Sequence, residues 1–225
     1  MDIEKAKLKF WKGKPILKEQ LRPFMNTESD NTYNQKLSQL VKEGVLRRAE
    51  NGIYYFPHEE EPFIELGPSL RDVVHLKYLR GLSGIRTGAF IAYKYKLTTQ
   101  VSGYYEIITN NVSKSTRGKK EYEGYVLVKS SKFEINIDNI DELEFVELVN
   151  NRKYSDYNKK TTLEMLIEIY NKYNFDEDKI REIMRYYGGQ VNKGLRDTLN
   201  IVIEKSKKDK IWIRYLRVFI NLKNI

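Results

Sequence analysis

Residues 15–57 read PILKEQLRPFMNTESDNTYNQKLSQLVKEGVLRRAENGIYYFP, and the hydrophobic period changes twice within them. Ile16, Leu17, Leu21 and Phe24 are spaced for a helix, with Pro15 suited to its first turn because no N–H is needed there. Asn26 to Asp30 is a polar turn offering Thr27 and Ser29 as caps. From Asp30 to Glu43 the apolar residues Tyr33, Leu37, Leu40 and Val41 form a single helical stripe, which Gly44 ends. Val45 to Arg48 and Ile53 to Phe56 then read as two strands. The turn Glu50-Asn51-Gly52 joins them, because Asn-Gly supplies the backbone of a two-residue hairpin, and Pro57 closes the unit.

At about 100° per residue, the face of the 30–43 helix opposite its stripe carries Asn31, Gln35, Ser38, Gln39 and Lys42, flanked by Thr32 and Lys36. Asn and Gln side chains pair bidentately with adenine, and hydroxyls reach bases or phosphates. The hairpin adds Arg47, Arg48 and Asn51, placed for phosphates or the minor groove. Helices followed by such a hairpin predict a winged helix-turn-helix that binds double-stranded DNA. The same fold also serves as a protein-protein module, and a polar helix face also occurs simply solvated.

Upstream, Ile3 to Trp11 reads as a short amphipathic helix broken by Gly13. Downstream, Glu59-Glu60-Glu61-Pro62 reads as a linker, followed by a helix over 69–79 and another over 87–95. Between these helices, Arg80 to Gly88 is rich in glycine. No Lys follows its last Gly as a phosphate-binding P-loop requires, so a structural turn is expected. Strands are expected over 104–109, 124–129, 132–137 and 143–149. Residues 113–121, with Lys114, Arg117, Lys119 and Lys120, read as an exposed basic loop, either solvated or a second nucleic-acid contact. Helices are expected over 163–173 with Thr161 or Thr162 as cap, over 176–187 ending at Gly188-Gly189, over 192–205 and over 209–222. The last of these carries Trp212, Tyr215, Leu216, Phe219 and Ile220 on one face.

The net charge of +9 permits a polyanionic partner. Its distribution is uneven: residues 1–60 hold 11 Lys and Arg against 9 Asp and Glu, 61–150 hold 12 against 12, and 151–225 hold 17 against 10. The cationic excess therefore belongs to the C-terminal third, where Arg181, Arg185, Lys193 and Arg196 are candidates for a second basic surface together with the 113–121 loop. No cysteine is present, which excludes disulfides, thiolate zinc sites and thiol catalysis. The first residues lack the apolar core of a signal peptide and no apolar run reaches the roughly 20 residues of a membrane span, so a cytoplasmic location without membrane contact is expected.

The sequence offers little for catalysis. His58 falls in the linker, and His75 falls among Val73, Val74 and Leu76, where a packed imidazole is expected. Asp138, Asp141, Glu142 and Glu144 form an acidic cluster that reads as an exposed turn rather than a magnesium site. No nucleophile elbow or zinc-binding helix appears. The expectation is no enzyme, no catalytic residues, no metal and no cofactor.

Several segments in order resemble the AbiEi-type antitoxins of bacteria: Gly52-Ile53-Tyr54-Tyr55-Phe56-Pro57, Gly88-Ala89-Phe90-Ile91-Ala92-Tyr93, Leu97-Thr98-Thr99-Gln100-Val101 leading into Tyr104 to Asn110, and Lys160-Thr161-Thr162-Leu163-Glu164-Met165-Leu166. The Pro-Glu usual before the last segment in that family is absent. The resemblance spans about residues 15 to 190. It implies the antitoxin of a type IV toxin-antitoxin (abortive infection) system. Such a protein represses its own operon by binding promoter inverted repeats, and it counters a nucleotidyltransferase-like toxin without a stable complex. A nucleic-acid-processing enzyme or an RNA-binding factor carrying a winged helix remains the alternative. The expected fold class is α+β. An N-terminal winged helix-turn-helix domain covers 1–58. A mixed α+β domain covers 59–225, with a small sheet (strands about 104–149) and a C-terminal helical bundle (helices about 160–222).

Overall fold

The computed structural model describes residues 2–27, 29–58, 67–187 and 193–222, with 209–222 described by their backbone alone. The linker 59–62, the Gly188-Gly189 helix stop and the side chains of the 209–222 face lie outside the described residues. The fold is α+β, in two compact units, Met1–Arg80 and Gly81–Ile225. Among the described residues no helix is long and apolar enough to cross a membrane.

In the first unit, α1 (Ile3–Lys9) is capped by the Asp2 carboxylate, which accepts from the Lys5 N–H. The expected helix over 16–24 is instead a two-residue strand, β1 (Ile16–Leu17), then α2 (Lys18–Leu21) and a 3₁₀ turn over Arg22–Phe24. Ile16 and Leu17 pair with Tyr54 and Ile53, so their backbone groups are satisfied across a sheet and Pro15 precedes a strand. α3 spans Asp30–Lys42, capped by Ser29 Oγ, which accepts from the Thr32 N–H at 3.2 Å. β2 (Arg47–Glu50) and β3 (Ile53–Tyr55) follow, giving an antiparallel sheet of order β1-β3-β2. Only Gly52 of the Asn51-Gly52 loop takes a left-handed φ, +79°. A bulge at Ala49 shifts the register of β2 and supplies twist that a turn with two left-handed residues would otherwise give.

The core of this unit gathers Ala6, Ile16, Leu21, Met25, Tyr33, Leu37, Leu40, Leu46 and Phe56. Each large apolar side chain buried here contributes roughly 1.5–3 kcal/mol. The Tyr33 hydroxyl donates to the Lys18 carbonyl, fixing α3 against α2. Burial, and then the charge of Glu19, pushes that phenol up to about 12. The unit continues past residue 58 through α4 (Leu70–Val74, capped by Ser69) and a π-helical turn His75–Leu79. His75, expected to be packed, is exposed.

The second unit opens with β4 (Gly84–Thr87) and α5 (Ala89–Lys94), continues through β5 (Tyr105–Thr109), β6 (Lys119–Glu121) and β7 (Val126–Ser130), and ends in four helices: α6 (Ile140–Asn150), α7 (Lys159–Tyr173), α8 (Glu177–Arg185) and α9 (Lys193–Leu222). Its sheet has order β4-β5-β7-β6, in which only β5-β7 is parallel. The Gly-rich stretch thus contains a strand, and part of the basic loop is the edge strand β6.

Two expected strands are absent. Residues 132–137 form no strand; the Asn110 side-chain amide satisfies both backbone groups of Ile135, donating to its carbonyl at 2.8 Å and accepting from its N–H at 3.1 Å. Residues 143–149 lie inside α6, where Leu143, Phe145, Val146, Leu148 and Val149 are all fully buried. A segment buried on every side carries no clear period, so a buried helix and a buried strand look alike in sequence. The cap of α7 is Asn158, whose Oδ1 accepts from the Thr161 N–H; Thr162 is buried, its hydroxyl donating to the Tyr157 carbonyl. The two helices expected over 192–205 and 209–222 are one 30-residue helix, because no Gly or Pro interrupts Ser206-Lys207-Lys208-Asp209. Ser206 is buried there and donates to Asn171 on α7.

Candidate nucleic-acid interface

α3 buries Tyr33, Leu37 and Leu40 and turns Asn31, Thr32, Gln35, Ser38, Gln39 and Lys42 outward, all of them exposed. Gln35, Ser38, Gln39 and Lys42, with Asn34, line a shallow surface depression of about 430 Å³. Asn34, on the flank opposite Thr32 and Lys36, was not among the residues expected on this face. Three residues of that face are already engaged. Thr32 Oγ1 shares a 2.9 Å hydrogen bond with Ser29 Oγ. Gln39 Nε2 donates to Glu43 Oε1 at 2.8 Å, so an acid borders this face. Lys36 is half-buried and donates to the Met25 carbonyl at 3.2 Å, holding the turn before α3. It sits about 120° round the helix from the centre of the exposed face, nearer the core than a groove-reading residue would be.

The hairpin presents Arg48 and Asn51 together. Arg48 Nη2 donates to Asn51 Oδ1 at 2.6 Å, and Nε to the Glu50 carbonyl at 3.3 Å. The tip is thereby ordered, at little further entropic cost to a contact through the remaining guanidinium donors. Arg47 is half-buried opposite Tyr55. At the start of α3, Asp30 pairs with Arg22, whose hydrogen bond and charge hold the Asp30 carboxyl below the usual carboxylate range.

The candidates for a second basic surface lie in the second unit on separate elements. Lys114 and Arg117 stand in the loop before β6, and Lys119 and Lys120 on β6. Arg181 and Arg185 are on α8, with Lys193 and Arg196 on α9; all eight are exposed. Three are engaged: Lys119 with Glu121 at 2.8 Å, Arg181 with Glu177 at 2.7 Å, and Arg196 with the Tyr187 carbonyl at 3.2 Å.

The acidic cluster is an exposed turn only in part: Asp138 lies in a turn and Asp141 in the first turn of α6, both exposed, whereas Glu142 and Glu144 are engaged. Glu142 is buried and accepts from the Asp176 N–H at 3.1 Å; Glu144 accepts from Lys94 and from the Tyr95 hydroxyl. Among the described residues no three acidic or imidazole side chains are grouped to hold a metal ion. Of the Gly-rich stretch, Gly88 has φ +66°, and a Cβ there would lie 2.2 Å from Glu106 Oε1. It starts α5, a helix of only six residues. The Leu97-Thr98-Thr99 segment is anchored to Asp156, which accepts from the Thr98 hydroxyl at 3.0 Å and the Thr99 N–H at 2.8 Å. These bonds, the Thr99 N–H foremost, depress the Asp156 pKa.

Comparison with protein-family models gives no match for this chain, and comparison with curated proteins gives none either.

Proposed function

We propose that the N-terminal unit is a winged helix-turn-helix module that binds double-stranded DNA, with α3 in the major groove and the β2-β3 hairpin against the backbone. The observation that carries this reading is the exposed polar face of α3, unbroken from Asn31 to Lys42, beside a hairpin tip where Arg48 and Asn51 are ordered together. The element order α1-β1-α2-α3-β2-β3, with β1 closing the sheet on β3, supports it. Asn31, Gln35 and Ser38 read bases, while Lys42, Arg48 and Asn51 contact phosphates. Lys36 and Thr32 serve the fold of the unit. The resemblance to AbiEi-type antitoxins extends the reading to a repressor of its own operon that also neutralises a nucleotidyltransferase-like toxin.

The test is binding of the full chain to its own promoter fragment, wild type against Gln35→Ala and Arg48→Ala. Loss of a bidentate base contact weakens specific binding by about 1–3 kcal/mol and relaxes preference at one position. Loss of Arg48 weakens all sequences alike and lowers the salt slope by about one. Unchanged sequence-specific binding in the double variant overturns the assigned surface. For the antitoxin role, co-expression with a nucleotidyltransferase-like protein encoded beside the gene should restore growth, and failure to do so would remove that part.

A further inference from the structure

A cleft in the second unit has a volume of about 920 Å³, within the range of small-molecule sites. Its walls come from five segments: the sheet, the end of α6, the 151–157 connection, the start of α7 and α9. Four cations, Lys129, Arg152, Lys153 and Lys159, line it against a single carboxylate, Glu106. Glu106 and Lys129 stand on one face of the sheet, because Glu106 opposes Leu127 and Ile108 opposes Lys129 in the parallel β5-β7 pair. Arg152 is fixed by donating to the Val149 carbonyl at 2.8 Å and the Gly194 carbonyl at 3.3 Å. That leaves three of the five guanidinium N–H donors for an anion. Tyr154 and Tyr157 supply aromatic surface, and Asn150, Ser155 and Thr198 supply neutral polar groups.

We propose that this cleft binds a ribonucleoside phosphate. The cations take the phosphates, since an excess of positive charge in a concave site concentrates the field on an anion. A tyrosine ring packs on the base, because every base offers a π-face. Glu106, alone among cations, accepts from ribose hydroxyls, the role an acid plays toward a ribose in dinucleotide sites. A bare inorganic anion would leave the aromatic surface and much of the volume unused.

The experiment is calorimetric titration of the full chain with ATP, GTP, CTP and UTP, with inorganic pyrophosphate and with uncharged adenosine. At least one ribonucleotide is expected to bind one to one, more tightly than pyrophosphate or adenosine. The variant Lys129→Met/Lys159→Met should weaken it by about tenfold or more, since each phosphate contact is a charge-assisted hydrogen bond. Lys114→Met/Arg117→Met, which removes the same charge from the exposed basic loop, should bind as wild type. Circular dichroism of both variants checks that they fold, and Lys153→Gln on the exposed rim repeats the test if the first does not. Three results would overturn the proposal. They are no ribonucleotide binding up to millimolar concentration, equal weakening in cleft and loop variants, and pyrophosphate or adenosine binding as tightly as any nucleotide.

Discussion

Replacing Glu147 by alanine should destabilise the second unit more than any surface change, and the reason lies in three elements that meet at its carboxylate. Glu147 sits on α6 and is 3% exposed. It accepts from the Thr87 hydroxyl at the end of β4, from the Tyr187 hydroxyl and from Asn151 Nδ2 at 3.1 Å. Burial, then the charge of Glu147 and the hydrogen bond to it, push the Tyr187 phenol well above its ordinary pKa. Alanine leaves the Thr87 and Tyr187 hydroxyls without this acceptor, at about 1.5–3 kcal/mol each for bonds to a charged partner. Asn151 keeps the Glu147 carbonyl at 2.9 Å and Thr87 Oγ1 at 3.0 Å, so its loss is smaller. The total is about 3–5 kcal/mol, non-additive because the partners share one carboxylate. For the 145 residues from Gly81 to Ile225, an unfolding entropy of about 2.1 cal/mol/K per residue converts about 4 kcal/mol into a Tm lower by roughly 13 °C. Thermal and urea unfolding followed by circular dichroism measure it. Glu147→Gln, which keeps the volume and one acceptor, should lose less, and the Glu147→Ala/Tyr187→Phe double variant less than the sum of the singles. A loss under about 1 kcal/mol for Glu147→Ala would refute the network as a stabilising element.

Gly88→Ala should cost about 1–3 kcal/mol, because φ +66° with ψ −144° is a glycine backbone and Glu106 must also move from the new Cβ; urea titration with an unchanged midpoint would contradict this. Stability of the first unit should fall as pH rises from about 10 to about 12. Tyr33 has a folded pKa raised to about 12 from 10, so its contribution is complete below pH 10 and disappears as the unfolded phenol ionises first. Denaturant midpoints between pH 9 and 12 check it, and Tyr33→Phe should flatten the decline; an equally steep decline in that variant would assign the effect elsewhere.

α3 was legible because Tyr33, Leu37 and Leu40 recur at helical spacing between a Ser29 cap and Gly44, and the hairpin because the Asn51-Gly52 turn is followed by the apolar Ile53-Tyr54-Tyr55. β1 was not: two residues hold no period, and only Tyr54 and Ile53 across the sheet make Ile16 and Leu17 a strand. α6 misled because burial on every side removes the alternation that separates helix from strand. On the candidate interface, periodicity found the exposed face but not its internal bonds, so Lys36 and Gln39 looked as available as Gln35. The cleft was illegible for a different reason. Lys129, Arg152 and Lys159 come from β7, the turn after α6 and the start of α7, and only the chain's path brings them to one cavity.

The most direct test of the central claim is a hydroxyl-radical footprint of the full chain on duplex DNA from its own promoter, repeated across salt concentrations. DNA reading by α3 predicts protection of discrete half-sites, centred on the major groove, with an affinity that falls steeply with salt as phosphate counterions are released. Uniform protection at every sequence, or none at concentrations where specific sites normally fill, about 10⁻⁸ M and above, would contradict it.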